Sequence, residues 1–253
     1  VGGYPGMNVV YVHNPVCEGS FGSGAAPFDI DGGGAGNDYI LCNPSQFSWI
    51  QANDLTGNYF LDSDLDYLGV GPITAPIISS PFTGTFDGRG HTVYDLDMDD
   101  SAFSGFGMFA DISGRVSNLN IEGADLDVTS DRGSVGVLAG TLSGGGVIEN
   151  IDLFDINITL NGTSAGSQIG ALVGYVNNTA PNGGVRNITA ENIYLDAVGY
   201  KDFGAVIGVI DGVNSRVNDI SVDYVDLTFD NIVGPCVGGV FGCLLYTSPS
   251  PRD

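Results

Sequence analysis

Apolar and polar residues alternate through much of the second half of the chain. Residues 187–195 and 220–229 show the pattern, because Ile, Val and Leu alternate there with Asn, Asp, Thr or Ser. A period of two is typical of a strand that buries one face. Within one stretch, residues 203–210, 216–222 and 225–229 are predicted to form three short strands separated by Gly, Asn or Asp.

A glycine-bounded block recurs at a constant step. Its copies begin at residues 136, 170, 204 and 238, 34 residues apart, and Gly170-Ala-Leu-Val-Gly174 is a clear example. A period of 34 also suits paired-helix repeats. Two glycines in each block would cost a helix about 1 kcal/mol each, whereas glycine suits strands that bend or pack closely. The repeat therefore favours strands.

Three short strands make a unit too small to bury its own apolar face, so successive units must stack. We therefore predict an all-β fold, a right-handed parallel β-helix (solenoid) with about three strands per coil. A second landmark follows each glycine block, a short apolar segment with Asn or Asp at its third position. These residues are predicted to stack as a structural ladder at one corner of the coils: Asn118, Asn150, Asn187 and Asp219.

The glycine blocks resemble the GLUG-type repeat of bacterial and archaeal surface proteins and adhesins, most clearly at 136–140 and 170–174. Residues 43–50, 58–66 and 81–93 look like the first coils of the same family, and the run Phe-Thr-Gly-Thr-Phe-Asp-Gly within 81–93 is the most specific part. The resemblance covers residues 38–242. It implies a right-handed β-helix in an exported protein, commonly as a stalk or passenger, and it implies no reaction.

Three regions follow from these patterns. Residues 1–37 are predicted to be an N-terminal extension or cap, and residues 38–242 the β-helix. Residues 243–253, Cys-Leu-Leu-Tyr-Thr-Ser-Pro-Ser-Pro-Arg-Asp, break the repeat abruptly and look like a translated sequencing adapter, a non-native tail. The alternative is a genuine proline-rich tail.

Charge narrows the classes of partner. Acidic residues outnumber basic ones 30 to 7, which gives a net charge of −23. Such a surface repels nucleic acid and anionic membranes. The segment contains no run of about 18 apolar residues, so membrane insertion is not predicted for it. The same acidity suits a protein that lives in salt or calcium, where cations screen or bridge carboxylates.

Cysteines and sequons bear on the compartment. Cys17 and Cys42 flank a glycine-rich stretch and either form a disulfide, which would fit an oxidising extracellular compartment, or remain two buried thiols. Cys236 lies within a repeat and is expected in the core. We therefore predict a secreted or cell-surface location. Four Asn-X-Ser/Thr sequons are candidates for glycosylation: Asn157, Asn161, Asn177 and Asn187.

Calcium is the one cofactor that the sequence suggests. Asp62, Asp64 and Asp66 alternate along a predicted strand and would share one face, which makes them candidate metal ligands. An EF-hand loop is excluded, because Tyr67 and Ile73 stand where that loop needs Gly and Glu. A second acidic row follows at residues 95–100. Residues 33–40 match one copy of a calcium-binding nonapeptide, but a single copy lacks the neighbouring turn that shares the ion. We therefore interpret these residues as a flexible segment that leads into the first strand.

No catalytic set emerges from the sequence. Arg89 and His91 form the only basic cluster, next to Asp87, and His13 is the one other histidine. The leading hypothesis is a non-catalytic extracellular β-helix scaffold that is structural or adhesive, with itself or surface glycans as partner. The alternative is a polysaccharide lyase or glycoside hydrolase, which β-helices also carry.

Overall fold

The computed structural model describes Cys17 and residues 24–30, 37–100, 104–129, 133–161, 167–198, 201–212, 214–230 and 236–244. These residues form one helix, α1 (Pro44–Asn53), and twenty-one strands. The strands are β1 (Phe28–Asp29), β2 (Asp38–Leu41), β3 (Asn58–Leu61), β4 (Leu65–Asp66), β5 (Thr85–Asp87), β6 (Thr92–Tyr94), β7 (Asp97–Asp100), β8 (Gly105–Phe106), β9 (Phe109–Ile112), β10 (Arg115–Val128), β11 (Gly133–Val135), β12 (Ala139–Gly144), β13 (Val147–Leu160), β14 (Ser167–Gly170), β15 (Val173–Asn178), β16 (Gly184–Val198), β17 (Lys201–Gly204), β18 (Ile207–Ile210), β19 (Arg216–Asp230), β20 (Val237–Gly238) and β21 (Phe241–Leu244).

Three parallel sheets run along the stack. The long sheet contains β10, β13, β16 and β19 side by side, with the shorter strands of the first coils at its other end. Two five-stranded sheets have the orders β20-β17-β14-β11-β8 and β21-β18-β15-β12-β9. From β8 onward each coil gives one strand to each sheet, whereas β1 to β7 all belong to the long sheet. About five coils stack. The prediction of a parallel β-helix with about three strands per coil is confirmed.

The long strands bend twice. The first bend falls at Asn118, Asn150, Asn187 and Asp219, whose φ angles lie between 52° and 55°. The second bend falls at Asp95, Gly123, Asp155, Asn192 and Tyr224. Asn and Asp tolerate this left-handed conformation better than other residues with a side chain, which explains why they recur at the corners.

Inward-facing residues form apolar columns because equivalent strands pair in register. Val116, Ile148 and Val185 are neighbours in one such column and are fully buried. Stacking therefore supplies the core that a single coil lacks. The corresponding residues of β19 are only partly buried: Val217, Ile220, Val222, Val225 and Leu227.

The glycine blocks lie where the chain passes between the two smaller sheets. A Cβ on Gly140 would come within 2.6 Å of the Phe106 backbone nitrogen, and one on Gly136 within 2.6 Å of the Leu172 carbonyl oxygen. Only glycine allows so close a backbone approach, which accounts for the glycines that bound each block.

Residues 43–50, which resemble a first coil of the repeat family, lie in the helix Pro44–Asn53 rather than in a strand. Asn43 caps this helix by accepting a hydrogen bond from the Gln46 backbone nitrogen at 3.0 Å, and Pro44 occupies its first turn. Phe47 packs edge-on against Phe86 and Phe109. The helix thus covers the apolar interior of the first coils. Trp49, which belongs to the helix, is half-buried against the same interior.

Both predicted flanking regions touch the sheets. β1 lies within the predicted extension and pairs antiparallel with β2. At the other end β21 includes Cys243 and Leu244, and Cys243 is bonded to Cys236, which is half-buried rather than in the core. Residues 245–253 of the predicted tail, His13 and residues 33–36 of the nonapeptide match lie outside the described residues. No helix in the described part of the chain is long and apolar enough to span a membrane.

Candidate functional site

The outer face of the long sheet carries two parallel rows of polar side chains after the second bend. Strand pairing aligns them across five coils, about 4.8 Å apart. One row is Asp97, Asp125, Asn157, Tyr194 and Asp226, and the next is Asp99, Asp127, Thr159, Asp196 and Thr228. Carboxylates of neighbouring coils therefore stand next to each other on a largely exposed surface.

A shallow groove of about 250 Å³ lies where the rows reach the last coils. Tyr194 lines the groove and packs against Tyr224, which is not a lining residue, with ring centroids 5.7 Å apart and planes tilted by 58°. The rings are 39% and 56% exposed. Asp125, Asp196 and Asp226 line the groove, and the Asn157 amide donates a hydrogen bond to Asp125 Oδ1 at 2.9 Å.

Three of the four predicted ladder residues are hydrogen-bonded to one another along the stack, whereas the fourth, Asp219, accepts a hydrogen bond from its neighbour Asn218. Asn150 donates to Asn118 Oδ1 at 2.7 Å, and Asn187 donates to Asn150 Oδ1 at 2.8 Å. Asn118 in turn donates to Asp87 Oδ1 at 2.9 Å. The side chains thus link successive coils at the corner where the backbone turns.

Arg89 and His91 are each held by a carboxylate of the preceding coil. Arg89 Nη1 lies 3.7 Å from Asp62 Oδ1, and its guanidinium carbon lies 4.5 Å from the centre of the Phe60 ring. His91 Nδ1 lies 3.1 Å from Asp64 Oδ1. The structure therefore brings this basic cluster together with two of the three predicted metal ligands.

The three candidate metal ligands do not converge on one point. Asp62 faces Arg89, Asp64 also accepts a hydrogen bond from the Thr92 backbone nitrogen at 2.9 Å, and Asp66 accepts one from Leu68 at 2.8 Å. Among the described residues, the one trio of possible ligand atoms that lie within 4.8 Å of one another comes from other residues, two of them disulfide-bonded cysteines. The three carboxylates therefore have separate partners, and calcium binding by them stays a prediction.

A second, wider groove of about 470 Å³ follows the ladder. Arg89 lies at its edge, and amides and carboxylates line it: Asp87, Asn118, Asn120, Asn150 and Asp152. Such a surface offers donors and acceptors for the hydroxyl groups of a polysaccharide.

Glu149 forms an ion-paired bridge across three coils. Its side chain is 10% exposed, and its two oxygens contact Arg115 of the preceding coil and Arg186 of the next. A carboxylate so buried needs charged partners, and two of the few arginines in the chain supply them.

The predicted sequons differ in accessibility. The amides of Asn157 and Asn187 are hydrogen-bonded to the preceding coil, and Asn177 is half-buried. Asn161 is exposed just after β13, although Thr163 of its sequon lies outside the described residues. At the N-terminal end, Cys17 and Cys42 are joined by a disulfide with an S–S distance of 2.05 Å.

Two half-buried carboxyls, those of Asp111 and Asp202, lie away from both grooves. Burial raises the pKa of Asp111, and a hydrogen bond from the Ser143 hydroxyl at 2.9 Å opposes that shift. Burial also raises the pKa of Asp202. One oxygen of each is buried without a hydrogen-bond partner among the described residues, so neither carboxylate is fully solvated or fully paired.

Sequence reasoning missed the tyrosine pair and the Glu149 bridge. Both depend on which outward residues become neighbours across coils. The long strands are irregularly spaced along the sequence, so these neighbours cannot be identified from the sequence alone. One signal was present, because Tyr224 stands where equivalent coils carry Asp155 and Asn192.

Comparison with known proteins finds one relative over a short segment and one solved structure with low sequence identity. No family model matches the chain, so the resemblance to the GLUG-type repeat stays a prediction. A segment is 38% identical over 102 residues to halomucin of Haloquadratum walsbyi, which covers 39% of this chain but only 1% of halomucin. A candidate immunoglobulin A1 protease from Bacteroides ovatus aligns over 84% of both chains with a TM-score of 0.46 and 12% identity. The chain, whose strand pairing makes it a parallel β-helix, is thus similar over 102 residues to a small part of halomucin.

Proposed function

We propose that the chain is a non-catalytic, adhesive β-helix segment of an extracellular cell-surface protein. The observation that carries the proposal is the two-sided design of the long strands. β10, β13 and β16 each bury one row of apolar side chains over 14 or 15 residues and expose a row of acidic and polar ones. The result is a rigid, extended, hydrated face suited to contact with another surface.

Charge supports a location in concentrated salt outside the cell. A net charge of −23 keeps such a surface hydrated and repels like surfaces unless cations screen it. The partial similarity to halomucin of Haloquadratum walsbyi supports the same location.

We include association of the chain with itself in the proposal, because stacking of coils with strands in register is the contact that this fold already makes.

Adhesion is tested with purified protein on glycan and cell-surface arrays, in high salt with and without calcium. A variant with Asp97, Asp99, Asp125 and Asp127 changed to Asn removes four outward charges while the buried rows stay intact. We expect binding by the native chain and a clear loss in the variant. Absence of binding on every array would refute adhesion, and only monomers in electron microscopy would refute self-association.

A second candidate function is cleavage of acidic polysaccharides in the wider groove. The favouring observation is that Arg89, Asp87 and Asp152 line one polar groove. Incubation with uronic-acid polymers, followed by absorbance of the unsaturated product and by reducing-end assay, tests it. Activity that Asp87→Ala abolishes would support this function, and no release of product would remove it.

A further inference from the structure

A short N-terminal segment lies along the edge of the first coil. We define the strap as Cys17 and residues 24–30. Its strand β1 pairs antiparallel with β2, whose other side pairs parallel with β3. Just after β1, the Ile30 backbone nitrogen donates a hydrogen bond to the Asp38 carbonyl oxygen at 2.9 Å. Among the described strands, β1 is therefore the one that covers this edge of β2.

Two side chains at the start of α1 hold the strap. The Asn43 amide nitrogen donates to the Gly24 carbonyl oxygen at 3.1 Å. The Gln46 amide nitrogen donates to the Ala26 carbonyl oxygen, also at 3.1 Å. Gln46 is 1% exposed, and its amide oxygen accepts a hydrogen bond from the Cys42 backbone nitrogen at 2.6 Å. Because a buried amide needs such partners, Gln46 couples the strap to the helix and to the first coil.

A disulfide closes the same contact. Cys17 is bonded to Cys42, the residue that directly follows β2. The strand pairing alone is short, because β1 pairs with two residues of β2 whereas β3 pairs with all four. The covalent bond therefore keeps the strap on the coil even when the few hydrogen bonds of β1 open.

Release of the strap would uncover backbone groups and apolar surface together. Successive peptide groups of a strand point to opposite sides, so the bond from Ile30 shows that Asp38 and Ile40 direct theirs toward the strap. Ile40 is 4% exposed and lies opposite Phe28 of β1. Unpaired peptide groups beside an apolar side chain favour pairing with another strand.

We propose that the strap is a disulfide-held lock on the edge of β2, and that the opened edge binds β2 of a second copy of the chain. The pairing with β1 shows that this edge accepts an antiparallel strand. Two copies of β2 can pair antiparallel across a two-fold axis, because such an interface brings the same surface of each copy together. Pairing along all of Asp38–Leu41 would exceed the pairing that β1 provides.

Opening of the lock is a reduction. A dithiol gives two electrons and two protons to the bond between Cys17 and Cys42, which leaves two thiols on the chain, and the dithiol departs as its cyclic disulfide. An oxidising compartment keeps the bond closed. The native chain should therefore not associate through this edge. The inference thus goes beyond the proposed self-association, which needs no release of the strap.

Replacement of cysteines opens the lock without a reductant. Cys17→Ser combined with Cys42→Ser leaves the bond between Cys236 and Cys243 intact, and the matched control replaces that second pair by serine instead. Hydrogen–deuterium exchange in dilute solution should become faster at residues 38–41 in the opened variant and stay unchanged in the control.

Self-association of the same proteins is then measured by light scattering. High salt is used, because it screens the repulsion between chains of net charge −23. We expect the Kd for dimer formation by the opened variant to be at least about ten-fold lower than that of the native chain or the control.

Two further variants define the contact. Asn43→Asp keeps a side-chain oxygen to cap α1 but lacks the donor to Gly24, so exchange at residues 38–41 should rise with the disulfide intact. This variant also keeps the lock testable if the opened variant does not fold, which circular dichroism shows. Ile40→Pro, added to the opened variant, removes a backbone donor from the edge and should abolish the association.

Three results would overturn the lock. They are equal exchange at residues 38–41 in the opened and native chains, association of the opened variant no tighter than that of the native chain, and association that survives Ile40→Pro. Association of the native chain bears on the proposed function alone, because the lock is measured by differences between variants.

Discussion

The side-chain amide of Asn187 donates a hydrogen bond to Oδ1 of Asn150 across 2.8 Å, and both residues hold the backbone in the left-handed region, with φ of 52° and 55°. Each residue therefore turns its own strand and ties its coil to the next. The same pair of tasks recurs at Asn118, so the ladder combines bend formation with coil stacking.

Replacement of Asn150 separates the two tasks. Asn150→Ala removes hydrogen bonds to Asn118 and from Asn187, and places alanine in a backbone conformation that it tolerates less well than asparagine does. We expect a loss of about 2–4 kcal/mol in the free energy of unfolding, measured by urea denaturation. Asn150→Gly relieves the conformational cost and should lose only about 1–2 kcal/mol. Equal losses in the two variants would show that the φ angle carries no cost.

The Glu149 bridge should also be measurable. Glu149→Gln keeps the size of the side chain but removes the charge that faces Arg115 and Arg186. We expect the free energy of unfolding to fall by about 1.5–3 kcal/mol, even though the net charge becomes less negative. Asp152→Asn, an exposed change on the same strand, is the control and should change stability by less than about 0.5 kcal/mol. Equal stability of the two variants would contradict a structural role for the bridge.

The strands and the ladder could be predicted from the sequence because both depend on residue types that recur at equivalent positions of successive coils. Inner positions such as Ile148 and Ile188 must be apolar, and corner positions must tolerate a positive φ. The outer surface is different, because consecutive ladder residues are separated by 32 residues in one case and 37 in the next. Neighbours such as Tyr194 and Asp226 therefore follow from strand register, which the outward residues themselves do not specify.

The helix α1 was missed for another reason. Its capping signals, Asn43 followed by Pro44, were present in the sequence. The resemblance of residues 43–50 to the first coils of a repeat family gives no indication of a helix. Local capping chemistry was the better guide there, because Asn43 satisfies the backbone nitrogen of Gln46 and Phe47 finds an apolar site between Phe86 and Phe109.

Two glycines distinguish close packing from backbone freedom. Gly140→Ala would place a Cβ 2.6 Å from the Phe106 backbone nitrogen, so we expect a loss of more than about 3 kcal/mol or failure to fold. Gly71 has a φ of 87°, and a Cβ added there would meet nothing within 4 Å, so Gly71→Ala should cost only about 1–2 kcal/mol. Thermal unfolding of both variants tests the ranking. A Gly140→Ala protein as stable as Gly71→Ala would contradict the close approach of the coils.

Asp111 should make stability depend on pH in a predictable direction. Burial raises the pKa of this carboxyl above its value in the unfolded chain, so the folded state binds the proton more tightly. The stability that Asp111 contributes is therefore present at low pH and is lost as pH rises through the unfolded and folded pKa values. At neutral pH the buried charge is unfavourable, since one carboxylate oxygen has no hydrogen-bond partner among the described residues.

Asp111→Asn removes that charge while its amide oxygen can still accept the hydrogen bond from Ser143. We expect the variant to be more stable than the native chain at pH 7 by about 1 kcal/mol, or about 2–4 °C in Tm. The difference should shrink as pH falls toward 3, where the native carboxyl is protonated. Asp152→Asn serves again as the exposed control. A gain that is the same at every pH would show that the charge of Asp111 is not its cause.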